Sequence, residues 1–298
     1  MTAGERRMYG FPEGLACPVC RAALRRDGSS LVCGGARRHC YDIAASGYVN
    51  LLPPGKASNA KTGDDRRMLS SRSAFLSTGV YDEFSREIAR LADKNLSVGD
   101  GRVMLADAGC GEGYHTLNIA RCLDGAGRSV CFAGFDASKY GADRASKRLK
   151  SERGLFPDSV FAAANIFDMP LRGGCADVVI SMFAPVPWEE ALRILKPGGL
   201  LIICSSGKRH LWEMRCVLYG EPRVSEPHIS APEGFALQDT STVSYTAQLC
   251  GGDMIAALFE MTPFFFRCPK EGREKLLSLE SLGITCEAEY KVYKKAYN

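Results

Sequence analysis

An apolar run, Val103-Met-Leu-Ala106, leads directly into Asp107-Ala-Gly109-Cys-Gly111-Glu112-Gly113. This order predicts a β-strand that ends in a tight turn and opens a helix. Glycine permits positive φ and a close backbone approach to a ligand, because it has no Cβ. The carboxylates of Asp107 and Glu112 suit a cationic ligand better than the phosphate that glycine-rich turns often hold. S-adenosylmethionine (AdoMet) carries an ammonium and a sulfonium group, so the loop predicts a methyl-donor site.

Strands and helices alternate after this loop. Alternation of this kind predicts a mostly parallel sheet with helices on both faces. Ligands bind at the carboxyl ends of such strands, and Asp136 ends the second strand, where an acid commonly binds ribose hydroxyls. A purely structural glycine turn is the alternative to a cofactor loop. The strand patterns cover 103–106, 130–135, 159–163, 176–181 and 200–204, with helix patterns such as 139–150 and 188–195 between them.

A compact set of metal ligands lies near the N-terminus: Cys17, Cys20, Cys33 and His39. A Cys pair two residues apart can bind one ion from a knuckle turn, and two further ligands complete a tetrahedron. Thiolates and imidazole together suit Zn²⁺. A segment this short has little core of its own, so the metal would supply its folding free energy. Four protein ligands leave no open position, so the predicted zinc is structural.

Two alternatives to this ligand set remain open. Cys40 adjoins His39 and could replace it as the fourth ligand. A redox-active C-x-x-C pair is the other interpretation. Such a motif normally precedes a helix, whereas residues 21–30 have the pattern of a hairpin, and this favours zinc.

Positive charge is concentrated in the N-terminal part of the chain. Residues 1–72 carry twelve Lys or Arg and six Asp or Glu, whereas the whole chain has a net charge of +4. Basic segments commonly contact polyanions, although a solvated basic surface gives the same composition. A small basic zinc module suits contact with RNA loops. Five arginines surround the predicted ligands: Arg21, Arg25, Arg26, Arg37 and Arg38.

The thirteen cysteines are an odd number, and most fall inside predicted strands or helices. This distribution is typical of buried thiols in a reducing cytoplasm rather than of disulfides. The sequence has no apolar run of about 18 residues, so no membrane span is predicted.

Several strings of the sequence together resemble the bacterial 23S rRNA (guanine-N1-)-methyltransferases. The most specific is Ser46-Gly-Tyr-Val-Asn-Leu-Leu-Pro53, which follows the zinc ligands. The similarity runs from about Cys17 to the end of the chain. One departure is the loop 34–38, which separates Cys33 from His39 by more residues than the family has. Other matching strings are Cys17-Pro-Val-Cys20, Gly109-Cys-Gly-Glu-Gly-Tyr-His-Thr116 and Lys196-Pro-Gly-Gly199.

The resemblance implies an AdoMet-dependent enzyme that methylates N1 of a guanine in a hairpin loop of 23S rRNA. It implies a class I methyltransferase fold, Rossmann-like with a mostly parallel seven-stranded sheet, preceded by a small zinc-binding domain that helps to hold RNA. The family tends to be dimeric. Which of two neighbouring guanines is modified, and whether the methyl group confers antibiotic resistance, stay open. The expected domains are an RNA-contacting zinc domain (1–52), a helical linker or cap (53–98) and the methyltransferase domain (99–298).

The expected cofactor site combines the family's contacts with the general methyltransferase pattern. No general base can be chosen from the sequence, and Glu112 and His210 are candidates by location only. Phe183 or Trp188 could stack on the target base, although aromatic residues at such positions often belong to the core. The family's cofactor contacts correspond to Tyr81, His115, Thr116 and His210, and the loop and the general pattern add Asp107, Gly109, Gly111, Glu112 and Asp136.

Two other functions fit parts of the sequence. A small-molecule AdoMet-dependent methyltransferase would share the glycine loop but would not need a basic N-terminal module. A non-catalytic zinc protein that binds RNA would need no AdoMet, so calorimetry of cofactor binding separates it from an enzyme.

Overall fold

The computed structural model describes residues 10–53, 66–96, 101–222 and 231–297. They form two sheets, one of three strands near the N-terminus and one of eight strands. Within these four ranges, no helix has both the length and the apolar character needed to cross a membrane.

The three-stranded antiparallel sheet consists of β1 (Leu24–Asp27), β2 (Ser30–Cys33) and β3 (Cys40–Asp42). The first two strands form the hairpin that the sequence predicted. Its turn contains Gly28 with a φ of 58°, a conformation that favours glycine in tight hairpins. We call residues 15–42, which hold this sheet and the four predicted metal ligands, the zinc module.

The eight-stranded sheet has β5 near its centre and the spatial order β10-β11-β9-β8-β5-β6-β7-β4. The strands from β4 to β9 run parallel to their neighbours, whereas β10 and β11 are antiparallel. The chain order changes direction on either side of β5, which opens a crevice at the carboxyl ends of the strands. The strands are β4 (Val49–Asn50), β5 (Val103–Ala108), β6 (Val130–Asp136), β7 (Val160–Ala163), β8 (Ala176–Met182), β9 (Leu195–Ser206), β10 (Phe235–Cys250) and β11 (Ser281–Lys295).

Two apolar cores pack on the two faces of this sheet. Leu105 of β5 belongs to one core together with residues of α2 and α3. Its neighbours Met104 and Ala106 belong to the other core, which includes Leu15 and Leu31 of the zinc module. Every residue of β5 is buried, as expected for a parallel strand covered on both faces. The helices are α1 (Arg66–Leu76), α2 (Asp82–Asn95), α3 (Tyr114–Gly125), α4 (Lys139–Lys150), α5 (Trp188–Ile194), α6 (Trp212–Tyr219), α7 (Gly252–Glu260) and α8 (Lys270–Leu277).

The predicted alternation of strands and helices and the mostly parallel sheet are confirmed. The expected number of strands was wrong, because the sheet has eight strands instead of seven. The additional strand is β4, which pairs in parallel with β7 through Val49 and Ala162. A two-residue strand is too short to give a sequence pattern, but it covers backbone groups that the edge of β7 would otherwise expose.

The division into three domains stays a prediction. Residues 49–50 fall inside the predicted zinc domain, yet they form β4 of the large sheet. The predicted boundary between the cap and the methyltransferase domain falls within residues 97–100, outside the described residues.

Candidate cofactor and zinc sites

The glycine loop after β5 has the geometry of a close-approach turn. Gly109, Gly111 and Gly113 have φ angles of 89°, 53° and 76°, which other residues adopt only at a cost. A Cβ at Gly109 would lie 2.7 Å from the Cβ of Ala184, and one at Gly113 would lie 2.7 Å from the ring of Phe161. Glycine is therefore required here both for its φ and for the space that it leaves.

Asp107 at the end of β5 is a buried carboxylate. Its Oδ2 accepts a hydrogen bond of 2.5 Å from Oγ1 of Thr116 in the first turn of α3. Burial raises the pKa of Asp107 to about 6, and the charge of Asp136 adds to the increase while the Thr116 hydrogen bond opposes it. Ionisation of this carboxyl group is unfavourable because the group is buried, and a cation next to it would stabilise the ionised form. The ammonium or sulfonium of AdoMet has this chemistry, so the loop fits the cofactor.

Asp136 at the end of β6 holds the glycine loop from its other side. Its Oδ2 accepts a hydrogen bond of 2.9 Å from the backbone N–H of Gly111, and its Oδ1 accepts one of 2.7 Å from that of Ser138. Two backbone donors fix the carboxylate beside the loop. The structure thus brings Asp136 to the loop, and its contact with a ribose stays a prediction.

Glu112 lies in the same loop, but its buried carboxylate is engaged by α4. It forms ion pairs with Nη2 of Arg148 at 2.8 Å and with Nε of Arg144 at 3.4 Å. Both arginines also donate to Oγ of Ser73 on α1, at 2.9 and 2.7 Å. Glu112 therefore connects the loop to α4 and, through the arginines, to α1. Its predicted contact with the cofactor stays a prediction.

The first turn of α3 is fastened to α2. Oη of Tyr114 donates a hydrogen bond of 2.5 Å to Oδ1 of Asp82, and Nδ1 of His115 lies 2.8 Å from Oγ of Ser85. Burial, together with the nearby charge of Arg72, lowers the pKa of His115 to about 3. His115 is therefore a neutral, half-buried group that joins the start of α3 to the predicted cap.

Tyr81 and His210 form a second polar contact at this end of the sheet. Oη of Tyr81 lies 3.2 Å from Nε2 of His210, and Nδ1 of His210 accepts a hydrogen bond of 3.2 Å from the N–H of Glu287 on β11. Burial lowers the pKa of His210 to about 4 although Glu287 opposes the decrease, so the ring is neutral at pH 7. Because Nδ1 accepts, the ring proton lies on Nε2, which donates to Tyr81.

The four predicted zinc ligands lie together, with their ligand atoms within 4.8 Å of one another. Nδ1 of His39 is 3.5 Å from Sγ of Cys17 and 3.5 Å from Sγ of Cys33, and the sulfurs of Cys20 and Cys33 are 3.7 Å apart. A tetrahedral Zn²⁺ with ordinary bond lengths spaces sulfur and nitrogen about 3.6 Å apart and two sulfurs about 3.8 Å apart. The group therefore fits zinc. Cys40 is exposed and lies outside this group.

Hydrogen bonds around the sulfurs complete the zinc group. Oη of Tyr41 lies 3.1 Å from Sγ of Cys17, which also accepts a hydrogen bond of 3.4 Å from the N–H of Val19. The N–H of His39 donates to Sγ of Cys33 at 3.1 Å. Donors of this kind stabilise thiolates and orient metal ligands.

The zinc module is joined to the large sheet through the segment that follows β7. Arg21, in the knuckle turn, pairs with Asp168 and donates a hydrogen bond of 3.0 Å to the carbonyl oxygen of Met169. Both partners lie in the segment that follows β7. The zinc module is therefore attached to the segment that connects β7 to β8.

Several residues of the site gave no usable sequence signal. They act through contacts between distant parts of the chain, as the pairing of Glu112 with α4 shows. Phe183 was a candidate for stacking on the base from the sequence, but its φ of 51° becomes visible only in the structure. The residues that the sequence analysis did not single out are Ser73, Asp82, Ser85, Arg144 and Arg148.

Comparisons with known proteins agree with both sites. Residues 15–58 match the family model described as the N-terminal part of RlmA, a zinc ribbon, and residues 100–237 match a methyltransferase-domain model. YxjB of Bacillus subtilis, whose name places it among the 23S rRNA (guanine-N1-)-methyltransferases, is 31% identical over 92% of this chain and 94% of its own length. A 23S rRNA (guanine(748)-N(1))-methyltransferase of Streptomyces fradiae is 30% identical over 78% of this chain and 81% of its own length.

The fold, the glycine loop and the ligand cluster define a class I AdoMet-dependent methyltransferase with an N-terminal zinc ribbon. The chain belongs to the 23S rRNA (guanine-N1-)-methyltransferase family. AdoMet and a structural Zn²⁺ are the cofactors that follow from this membership.

Proposed function

We propose that this protein transfers the methyl group of AdoMet to N1 of one guanine in a hairpin loop of 23S rRNA. The observation that carries the proposal is the presence, in one chain, of a glycine loop with buried Asp107 and a zinc ribbon with exposed arginines. The names of the relatives supply the acceptor atom.

The cofactor would lie against the glycine loop. We assign Asp107, Gly109, Gly111 and Asp136 to its binding. The two carboxylates and the glycine backbone, which has no side chain in the way, lie together at the carboxyl edge of the sheet. Thr116 would position Asp107 through their hydrogen bond. AdoMet supplies a methyl group that its sulfonium already activates, so much of the catalytic work is positioning.

Four residues would hold the cofactor site in place without contacting the reacting atoms: Glu112, His115, Tyr81 and His210. Glu112 is paired with two arginines, and His115 is bonded to Ser85. Nε2 of His210 donates to Tyr81 and so has no lone pair with which to accept a proton. We therefore propose that all four residues position the cofactor site and that the N1 proton of the guanine passes to water.

The exposed arginines of the zinc module would hold the RNA. Arg25 and Arg26 lie on β1, and Arg37 and Arg38 precede His39, all with exposed side chains. Arg38 pairs with Asp27 at 3.0 Å, an exposed ion pair that is weak in water and easily exchanged for a phosphate. The module is attached to the segment that connects β7 to β8 of the same sheet, and we propose that RNA bound to it extends to the glycine loop.

We further propose a cytoplasmic homodimer, in keeping with an rRNA-modifying family. We also propose that loss of the methyl group changes susceptibility to macrolide-type antibiotics, which can be measured in a strain that lacks the gene.

The direct test is methylation of a 23S rRNA hairpin transcript with methyl-labelled AdoMet, followed by nucleoside mass spectrometry. We expect one 1-methylguanosine per transcript. The double variant Arg25→Gln/Arg26→Gln should bind RNA more weakly, with a shallower dependence on salt, and should bind AdoMet normally. A matched control is Lys270→Gln/Lys275→Gln, which removes two exposed charges on α8 and should leave RNA binding unchanged.

Two outcomes would replace the proposal by its alternatives. Methylation of a small molecule with unchanged kinetics in the Arg25→Gln/Arg26→Gln variant would identify a small-molecule methyltransferase. RNA binding without any AdoMet binding in calorimetry would identify a non-catalytic RNA-binding protein.

A further inference from the structure

Phe183 follows the carboxyl end of β8 and has an unusual backbone conformation. Its φ is 51°, in the left-handed region that aromatic residues rarely adopt. Backbone strain of this kind persists only where the surrounding structure enforces it, and it is concentrated at functional sites. The turn is fixed by two hydrogen bonds, from the N–H of Phe183 to the carbonyl oxygen of Cys204 at 2.9 Å and from Oγ of Ser181 to that of Ala184 at 3.2 Å.

The ring of Phe183 is supported on one side and open on the other. It stacks on the ring of His210, with centroids 5.9 Å apart and planes inclined by 27°, and it meets the ring of Phe84 edge-on at 5.8 Å. Phe183 nevertheless remains 43% exposed. His210 is itself fixed by Tyr81 and Glu287. The result is a rigid, accessible aromatic surface.

This surface lies beside the cofactor loop. Ala184, the next residue, is so close to Gly109 that a Cβ there would lie 2.7 Å from the Cβ of Ala184. Phe183 therefore follows β8 at the carboxyl edge, next to the loop proposed to hold AdoMet. A planar acceptor that lies near the methyl group would reach this ring.

Trp188, the other aromatic candidate, is placed differently. It packs edge-on against Phe235 and Tyr293, with centroid distances of 5.7 and 5.2 Å. These residues belong to the core on the zinc-module face of the sheet. Trp188 is therefore a packing residue.

We propose that the target guanine stacks on the ring of Phe183 once the base has flipped out of the stack of the RNA hairpin. The inference rests on the proposed function and adds to it the residue that receives the base. An enzyme that modifies N1 must expose the Watson–Crick edge, and a base held out of its stack is commonly held against an aromatic side chain. The strained turn presents the ring, and His210 and Phe84 keep it in place.

The test compares Phe183→Ala with Phe183→Trp on two hairpins, one with the target guanine and one with an abasic nucleotide in its place. On the guanine hairpin, Phe183→Ala should lower RNA affinity and kcat/KM by roughly 5- to 150-fold. Phe183→Trp should restore them, because it keeps an aromatic face. On the abasic hairpin, the wild-type protein and Phe183→Ala should bind alike.

Two further variants separate stacking from folding. Phe183→Gly removes the ring and also the backbone strain, so it should unfold at a higher temperature than Phe183→Ala and yet lose the same activity. Tyr297→Ala removes an aromatic residue that is 71% exposed and packs on Gly198 near the opposite edge of the sheet, and it should retain full activity. AdoMet affinity should stay within about twofold of wild type in the Phe183 variants, since the ring is assigned to the base.

Equal loss of binding on the guanine and abasic hairpins would overturn the inference, as would wild-type kinetics in Phe183→Ala. If the wild-type protein methylates no guanine of the hairpin, the proposed function fails instead, and the two failures are thereby told apart.

Discussion

The zinc module and the eight-stranded sheet are stabilised by different forces. In β1 of the module three of four residues are exposed, whereas in β5 of the large sheet all six are buried. Strands as short and open as β1 bury too little apolar surface to hold themselves together, so three thiolates and an imidazole must do so through the metal. The large sheet needs no metal, and its polar site is confined to the turns at one edge.

The two regions are therefore sensitive to different kinds of substitution. The module depends on four side chains that converge on one point. The cofactor site depends on backbone that lies close to its neighbours and on carboxylates that are costly to bury. The two regions nevertheless share a core, because Leu15 and Leu31 of the module belong to the same apolar cluster as Met104 and Ala106 of β5.

Removal of the metal should change the protein more than any other substitution considered below. Cys33→Ala should abolish zinc binding and the folding free energy that it supplies, which is about 10–16 kcal/mol for structural zinc in zinc-finger peptides. Hydrogen exchange should then show loss of protection in β1 and β2 and retention in β5. The matched control is Cys250→Ala at an exposed cysteine of β10, which should change neither.

If β1 and β5 lost protection together after this change, the zinc module and the large sheet would unfold as one cooperative unit. They would then not be stabilised independently.

The glycine loop should be the most sensitive part of the large sheet. Gly113→Ala adds a Cβ 2.7 Å from the Phe161 ring at a φ of 76°, and strain and overpacking together should cost about 4 kcal/mol. Gly127→Ala has a φ of 86° but meets nothing within 4 Å, so it should cost only about 1–2 kcal/mol. Urea unfolding measures both. Equal costs would show that conformation alone, and not close packing, requires glycine in the loop.

Asp107 should make the large sheet sensitive to pH. Its pKa of about 6 in the folded state lies above its ordinary value of 3.8. The free energy of unfolding is therefore unaffected by this raised pKa below pH 4. It decreases by about 3 kcal/mol in total as the pH rises through 6, because the buried carboxyl group then ionises. Asp107→Asn cannot ionise, so without AdoMet its stability relative to wild type should increase over this range and stay level above pH 7. A pH-independent difference in urea unfolding would contradict this account of the loop.

The smallest effect is expected at Cys40. Cys40→Ala should keep one zinc per chain and change the free energy of unfolding by less than about 0.5 kcal/mol, because the side chain is exposed and outside the ligand cluster. His39→Ala should lose the metal. Metal analysis after dialysis measures the zinc content of both variants. Zinc loss from Cys40→Ala alone would show that Cys40, and not His39, is the fourth ligand.

Sequence predicted best what is encoded locally. The zinc ligands lie within one short segment, and the glycine loop with its flanking strand is a continuous motif, so both could be read from spacing and residue type. The pairing of Glu112 with Arg144 and Arg148 could not, because any acid in the loop is equally compatible with a cofactor contact. The strand β4 was missed because two residues carry no periodicity, and the strain at Phe183 depends on how its turn packs.

This protein is expected to place a methyl group on N1 of one guanine of 23S rRNA. Methylation at N1 blocks base pairing, so reverse transcription of the rRNA stops at the modified nucleotide. Primer extension across the 23S hairpin should give one strong stop in rRNA from cells with the intact gene and none in rRNA from a strain that lacks it. An identical stop pattern in the two strains would show that this protein does not methylate N1 of that guanine.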